Sequence, residues 1–179
     1  IHRDLKPENV LLMDKSLELD NIWVKLCDFG LARKTGNNKV EMTGKIGTPA
    51  FMSPEIMEQK QYGAPVDVYS FGMLLWSMLT RRMPFADKQM LQIMHAVTKG
   101  NERPALPSMC GQALATLITR CWSKAPNERP EFRDIVHQLE SHVVEFPECC
   151  SHGAGDMTLN PMRGGAKHAA PGVDNQTHL

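Results

Sequence analysis

The segment His2-Arg3-Asp4-Leu5-Lys6-Pro7-Glu8-Asn9 is followed by Asp28-Phe29-Gly30 and then by Ser53-Pro54-Glu55, and this order constrains the chain more than any other feature. Asp4 and Asn9 lie five residues apart. Between Asn9 and Asp28 stand two short β-branched and apolar runs, Val10–Met13 and Ile22–Cys27, separated by the polar stretch Asp14–Asn21. Runs of this kind around a polar connection read as a β-hairpin whose far end delivers Asp28 to the site. Leu31–Met52 is rich in Gly, Thr, Lys and Asn without a clear period, which fits a mobile surface loop.

From Pro65 onward the pattern becomes helical. Pro65 suits a first-turn position, and Val66, Val68, Tyr69, Phe71, Met73, Leu74, Leu75, Trp76, Met78 and Leu79 leave hardly any polar face, so this helix is expected to be buried on nearly all sides. It is no membrane span: Asp67 interrupts it, the apolar run is shorter than about 20 residues, and Arg81-Arg82 follow at once. Three further amphipathic helices are expected over Lys88–Lys99, Gln112–Trp122 and Glu131–Phe146, the last with Phe132, Ile135, Val136, Leu139 and Val143 on one face. Residues 148–179 turn to Gly, Ala, His, Asn and Pro and are expected to be a disordered tail after a domain of residues 1–147.

A chain of 179 residues with 42% hydrophobic and 22% charged residues is long enough for one domain with a core. Twenty basic and twenty acidic residues cancel, which gives no reason to expect nucleic acid or an anionic membrane as the main partner. Five irregularly spaced cysteines suit free thiols in a reducing compartment, so a cytoplasmic or nuclear location is expected.

The octapeptide His2–Asn9, Asp28-Phe29-Gly30 and the A-P-E-like Ser53-Pro54-Glu55 together resemble the signature set of eukaryotic protein kinases, from residue 1 to about Val144. The resemblance implies an α+β, protein-kinase-like fold: a mainly helical C-terminal lobe with a short β-hairpin. No G-x-G-x-x-G and no V-A-I-K precede the octapeptide, so the N-terminal lobe is expected to be absent and the sequence to be a fragment of a longer protein. Lys6-Pro7-Glu8 is the serine/threonine pattern of the catalytic loop. Cys121-Trp122 with Arg129-Pro130 looks more like the tyrosine-kinase-like group, whose members mainly phosphorylate Ser and Thr.

What this family does is transfer the γ-phosphate of ATP to protein hydroxyls, with Mg2+ as partner of the nucleotide. By resemblance, Asp4 is the base that accepts and orients the substrate hydroxyl, Lys6 reaches the γ-phosphate, and Asn9 and Asp28 are the Mg2+ ligands, hard oxygens for a hard cation. Leu11 would lie beneath adenine, and plain strand-core leucine is an equally good reading of it. Thr48 resembles the threonine that bonds to the catalytic Asp and Lys. Arg3 would pair with a phosphate on the activation loop, placed by an upstream kinase on Thr43, with Thr35 behind it; a plain polar loop residue is a nearly equal reading of Thr43. Glu55 and Arg129 match a buried ion pair, and Asp67 a helix carboxylate that accepts backbone hydrogens from the catalytic loop.

The rival expectation is a noncatalytic, kinase-derived scaffold; a small-molecule kinase is disfavoured by Thr48 and the S-P-E triplet, which suit a peptide substrate. The cluster of His142, Cys149, Cys150 and His152 fits no closed zinc spacing, and Gly164-Gly165-Ala166-Lys167 lacks the context of a phosphate-binding loop. The fragment alone is expected to be inactive. It is also expected to fold poorly, with three or four large side chains of the Val66–Leu79 helix left uncovered for want of a helix upstream of the catalytic loop.

Overall fold

The computed structural model describes residues 1–13, 23–33 and 48–141. Strands β1 (Val10–Leu12) and β2 (Val24–Leu26) pair antiparallel, with Val10 opposite Leu26 and Leu12 opposite Val24. The hairpin expected from the two apolar runs is therefore present, while its connection lies outside the described residues. The rest is helical: α1 (Pro54–Met57), α2 (Pro65–Thr80), α3 (Met90–Thr98), α4 (Gln112–Cys121) and α5 (Phe132–Glu140). Short 3-10 turns at Pro7–Asn9, Phe29–Leu31, Pro49–Phe51 and Pro126–Glu128 join them. Three of these turns open on a proline, whose fixed φ suits a first helical position where no amide hydrogen is needed. The α+β arrangement expected from the sequence is the one observed.

Helix α2 is the centre of the core. Val66, Val68, Tyr69, Met73, Leu74, Leu75, Trp76 and Leu79 are buried, and only Met78 among its large apolar residues stands well exposed. The expectation of several uncovered side chains on this helix is thus corrected. Helix α4 presents Leu114, Leu117, Ile118 and Cys121 to it, and the Pro49–Phe51 turn covers a further side. Ser70 Oγ donates to the Phe51 carbonyl at 2.8 Å, and Trp76 Nε1 to the Ala105 carbonyl at 2.9 Å, so flanking loops are tied as well as packed. Exposed apolar side chains collect instead on the hairpin and just beyond it, at Leu11, Leu12, Met13, Trp23, Val24, Leu26 and Phe29.

Two details depart from the periodicity. In α5 only Ile135 is buried; Phe132 and Val136 are exposed, Leu139 is half-buried, and Phe132 meets Phe71 edge-on at 5.6 Å. The helix rides on the edge of the core: among the described residues of this face Ile135 is enclosed and Leu139 packs against the core from its rim. Helix α3 begins at Met90 rather than Lys88, because the Gln92 side chain accepts from the Gln89 amide at 2.7 Å and closes the N-terminus there. No described helix is long and apolar enough to cross a membrane. Cys27, Cys110 and Cys121 are free thiols, and burial pushes the Cys121 thiol up to about 12.

Gly72 fixes how closely α2 and α4 approach. A Cβ there would lie 2.8 Å from Cys121 Cβ and 3.3 Å from the Trp122 amide nitrogen. Alanine would gain about 1 kcal/mol in helix propensity. The obstacle, however, is a helix and its backbone rather than a flexible side-chain tip. Gly72→Ala is therefore expected to destabilise by about 1 to 3 kcal/mol, seen as a lower denaturant midpoint; an unchanged or higher midpoint would mean that the two helices separate at little cost.

Candidate active site

The loop of residues 2–9 is held from below by one carboxylate. Asp67, in the first turn of α2 and itself buried, accepts the amide hydrogens of His2 and Arg3, each at 2.7 Å. Both are charge-assisted bonds to backbone donors that have no strand or helix partner of their own. Arg3 takes φ 70°, a left-handed conformation that costs a non-glycine residue of order 1 to 3 kcal/mol. The Asp67 bonds hold it there. The backbone then turns, and Asp4 lies buried.

Three donors converge on the Asp4 carboxylate. Lys6 Nζ stands 2.8 Å from Oδ2, the Asn9 Nδ2 donates to the same oxygen at 3.2 Å, and the Thr48 amide donates to Oδ1 at 3.3 Å. Lys6 Nζ also donates to Thr48 Oγ1 at 3.0 Å, so the lysine bridges the loop to the segment entering Pro49–Phe51. It is the Thr48 amide, and not its hydroxyl, that bonds to Asp4. Asn9 Nδ2 is further engaged by the Asp4 carbonyl at 2.7 Å. The amide nitrogen is thus spent on Asp4, which leaves the Asn9 carboxamide oxygen as the acceptor end of the side chain.

Asp28 enters from β2. The Cys27 amide donates to the Asn9 carbonyl at 3.0 Å, which brings the residue before Asp28 alongside Asn9. Asp28 is exposed and left-handed at φ 58°, and its Oδ1 accepts the Gly30 amide at 3.3 Å. A Cβ on residue 30 would lie 3.1 Å from that oxygen, so glycine leaves the carboxylate room. Leu11 is exposed on β1 rather than packed in a strand core.

His2 carries a role that reading the sequence missed. Its Nδ1 accepts the Asp4 amide hydrogen at 3.3 Å and its Nε2 lies 3.0 Å from the Cys27 carbonyl, which fits a ring protonated on Nε2. The same ring packs against Phe29 at 4.9 Å between centroids. One side chain thereby links the Asp4 loop to the turn after Asp28. Its place in the octapeptide was the available signal.

Glu55 and Arg129 form the expected pair, bidentate at 2.6 and 2.9 Å, with the guanidinium fully buried. Arg129 also donates to the carbonyls of Ser123 and Pro65, both at 2.9 Å. It ties α1, the start of α2 and the approach to α5 together. The guanidiniums of Arg129 and Arg103 lie 5.2 and 5.1 Å from the Tyr69 ring, and burial pushes the phenol up to about 12, the nearby cations only partly opposing it.

Thr43 and Thr35 lie outside the described residues, as do the cysteine and histidine cluster near the C-terminus and Gly164–Lys167. Among the described residues no group of three or more His, Cys, Asp and Glu is placed to hold a metal. Asn9 and Asp28 each offer a hard oxygen, one from a carboxamide and one from a carboxylate.

Residues 1–139 match the family described as protein kinase domain. The chain is 43% identical over 153 residues to the serine/threonine/tyrosine-protein kinase HT1 of Arabidopsis thaliana, covering 86% of this chain and 36% of that protein. It is 39% identical over 148 residues to the dual specificity protein kinase shkC of Dictyostelium discoideum, covering 81% and 28%. Human mitogen-activated protein kinase kinase kinase 11 is 36% identical over 143 residues, covering 79% and 17%. The chain thus spans little more than a third, or less, of the length of these relatives.

Removing the Glu55 side chain would leave a buried guanidinium without its counter-charge. Glu55→Ala is expected to cost about 3 to 5 kcal/mol, measured by denaturant unfolding; a loss below about 1 kcal/mol would place the pair among ion pairs that solvent already screens.

Proposed function

The chain belongs to the protein kinase family, and on that premise we propose that the full-length protein transfers the γ-phosphoryl group of Mg-ATP to hydroxyls of protein substrates, Ser and Thr foremost. The observation that carries this reading is the convergence of Lys6, Asn9 and Thr48 on the Asp4 carboxylate. A phosphoryl acceptor must be aligned in line with the leaving group, so the base has to be fixed in direction. Three donors from two segments fix it.

Asp4 then orients the acceptor hydroxyl and takes its proton as the new P–O bond forms, while ADP departs with the electrons of the broken one. Lys6 lies between Asp4 and Thr48 and offers its cation to the transferring phosphoryl oxygens. Asn9, through its carboxamide oxygen, and Asp28 would hold Mg2+ against the nucleotide phosphates. Bound there, the cation would neutralise phosphate charge. Thr48, by bonding the loop and opening the Pro49–Phe51 turn, sets the edge against which a peptide would lie.

The roles of the two aspartates separate in experiment. In the full-length protein Asp4→Asn is expected to lower kcat by at least about 100-fold with little change in nucleotide affinity. Asp28→Ala is expected to weaken Mg-ATP binding itself. Kinetics and nucleotide titrations measure both, and equal loss of nucleotide affinity in the two variants would overturn the division.

A second reading, transfer to tyrosine as well, draws on the relatives named as dual specificity or serine/threonine/tyrosine kinases. Lys6 and Thr48 beside Asp4 favour Ser and Thr. Phosphoamino-acid analysis of a phosphorylated peptide library is expected to give mostly phosphoserine and phosphothreonine; predominant phosphotyrosine would reverse the order of the two readings.

A further inference from the structure

Arg3 is already engaged on both sides of its guanidinium. Its Nε donates to the Leu31 carbonyl, and its Nη1 donates to the Tyr62 hydroxyl at 2.8 Å. Tyr62 is half-buried in the connection between α1 and α2, and belongs to none of the sequence motifs. One planar cation therefore joins three segments: the Asp4 loop, the turn that follows Asp28, and the approach to α2. Both side-chain partners are neutral oxygens supplied by the chain itself.

We propose that Tyr62 is a positioning residue for the phosphoryl-transfer site: its hydroxyl aims the Arg3 fork at Leu31 and so holds the Phe29–Leu31 turn, and Asp28 with it. The proposal rests on the phosphoryl-transfer reading above. The five donors of a guanidinium lie in one plane at fixed angles, so fixing Nη1 also fixes the direction in which Nε points. The turn gains from such a hold. Asp28, Phe29 and Gly30 are exposed; the Ala32 amide donates to the Phe29 carbonyl, and the Arg33 amide and carbonyl both bond to Ile1, beyond the turn itself. An anion reaching Arg3 would find Nε and one Nη1 hydrogen already engaged, and would meet the remaining donors of a fork whose direction is set. Arg3 is thereby ordered without any phosphate.

The test uses the full-length protein. Tyr62→Phe keeps the ring and deletes the hydroxyl, and is expected to lower kcat/KM for Mg-ATP roughly tenfold, chiefly through KM. Amide hydrogens of residues 29–33 are expected to exchange faster in the same variant. Arg3→Lys keeps the charge and loses the fork, and combined with Tyr62→Phe it is expected to add little further loss. Hydrogen exchange reads the positioning whether or not phosphate is transferred. A protein without kinase activity that still shows the accelerated exchange would remove the phosphoryl-transfer reading and leave the strap between Tyr62, Arg3 and Leu31 standing. Unchanged exchange in residues 29–33, or additive losses in the double variant, would overturn the inference.

Discussion

The two bonds from Asp67 to the amides of His2 and Arg3 are the constraint on which the candidate site depends. A buried carboxylate is costly unless it is satisfied, and these amides satisfy both of its oxygens. They have a second effect: the left-handed turn at Arg3 becomes the cheapest path for the backbone. That turn sends the His2 ring toward Cys27 and Phe29, the Arg3 fork toward Leu31, and the Asp4 carboxylate toward Lys6, Asn9 and Thr48. Since Asp67 sits on the most deeply packed helix, the loop inherits the rigidity of the core.

Arg129 does for the opposite flank what Asp67 does for the loop. Its guanidinium satisfies Glu55 bidentately and takes carbonyls from Ser123 and Pro65, so α1 and the entry to α2 share one hub. Thr48 lies just before α1, separated from Ser53 by the Pro49–Phe51 turn, whose Phe51 carbonyl is bonded to Ser70 of α2. Placement of Thr48 against Asp4 thus rests on α2 from two directions. The Tyr69 ring, between the guanidiniums of Arg103 and Arg129, has no hydrogen-bond partner for its hydroxyl among the described residues. Its contribution is packing and cation–π attraction in a place where a polar tip is left unpaired.

The architecture was largely legible in the sequence because its signals are strong and local. The hairpin, the buried α2 and the start of α4 follow from apolar period and proline placement, and the contacts of Asp67, Glu55 and Arg129 follow from motif resemblance. What escaped depends on long-range geometry. The outward tilt of Phe132 and Val136 in α5 reflects where the core ends, which no period within the helix encodes. Tyr62 sits in an unpatterned loop, and its meeting with Arg3 spans 59 residues of sequence. His2 was in view, yet a ring accepting at one nitrogen and donating at the other can be recognised only when Asp4 and Cys27 are both in place.

The site is built from two parts of unequal firmness. Asp4 and Asn9 are buried and tied to α2, whereas Asp28 is exposed at the end of a hairpin whose strands have three residues each and mostly apolar, solvent-facing side chains. Two such strands alone are marginal in water. Between the firm and the compliant part run the Cys27 amide to Asn9, the Cys27 carbonyl to His2, and Leu31 to Arg3. Each of these crosses to a residue that Asp67 or its neighbours hold in place. Local opening would therefore release the Cys27 amide from Asn9, and Asp28 with it, before it disturbs Asp4. The arrangement is therefore firm around Asp4 and Asn9, and held by fewer bonds around Asp28.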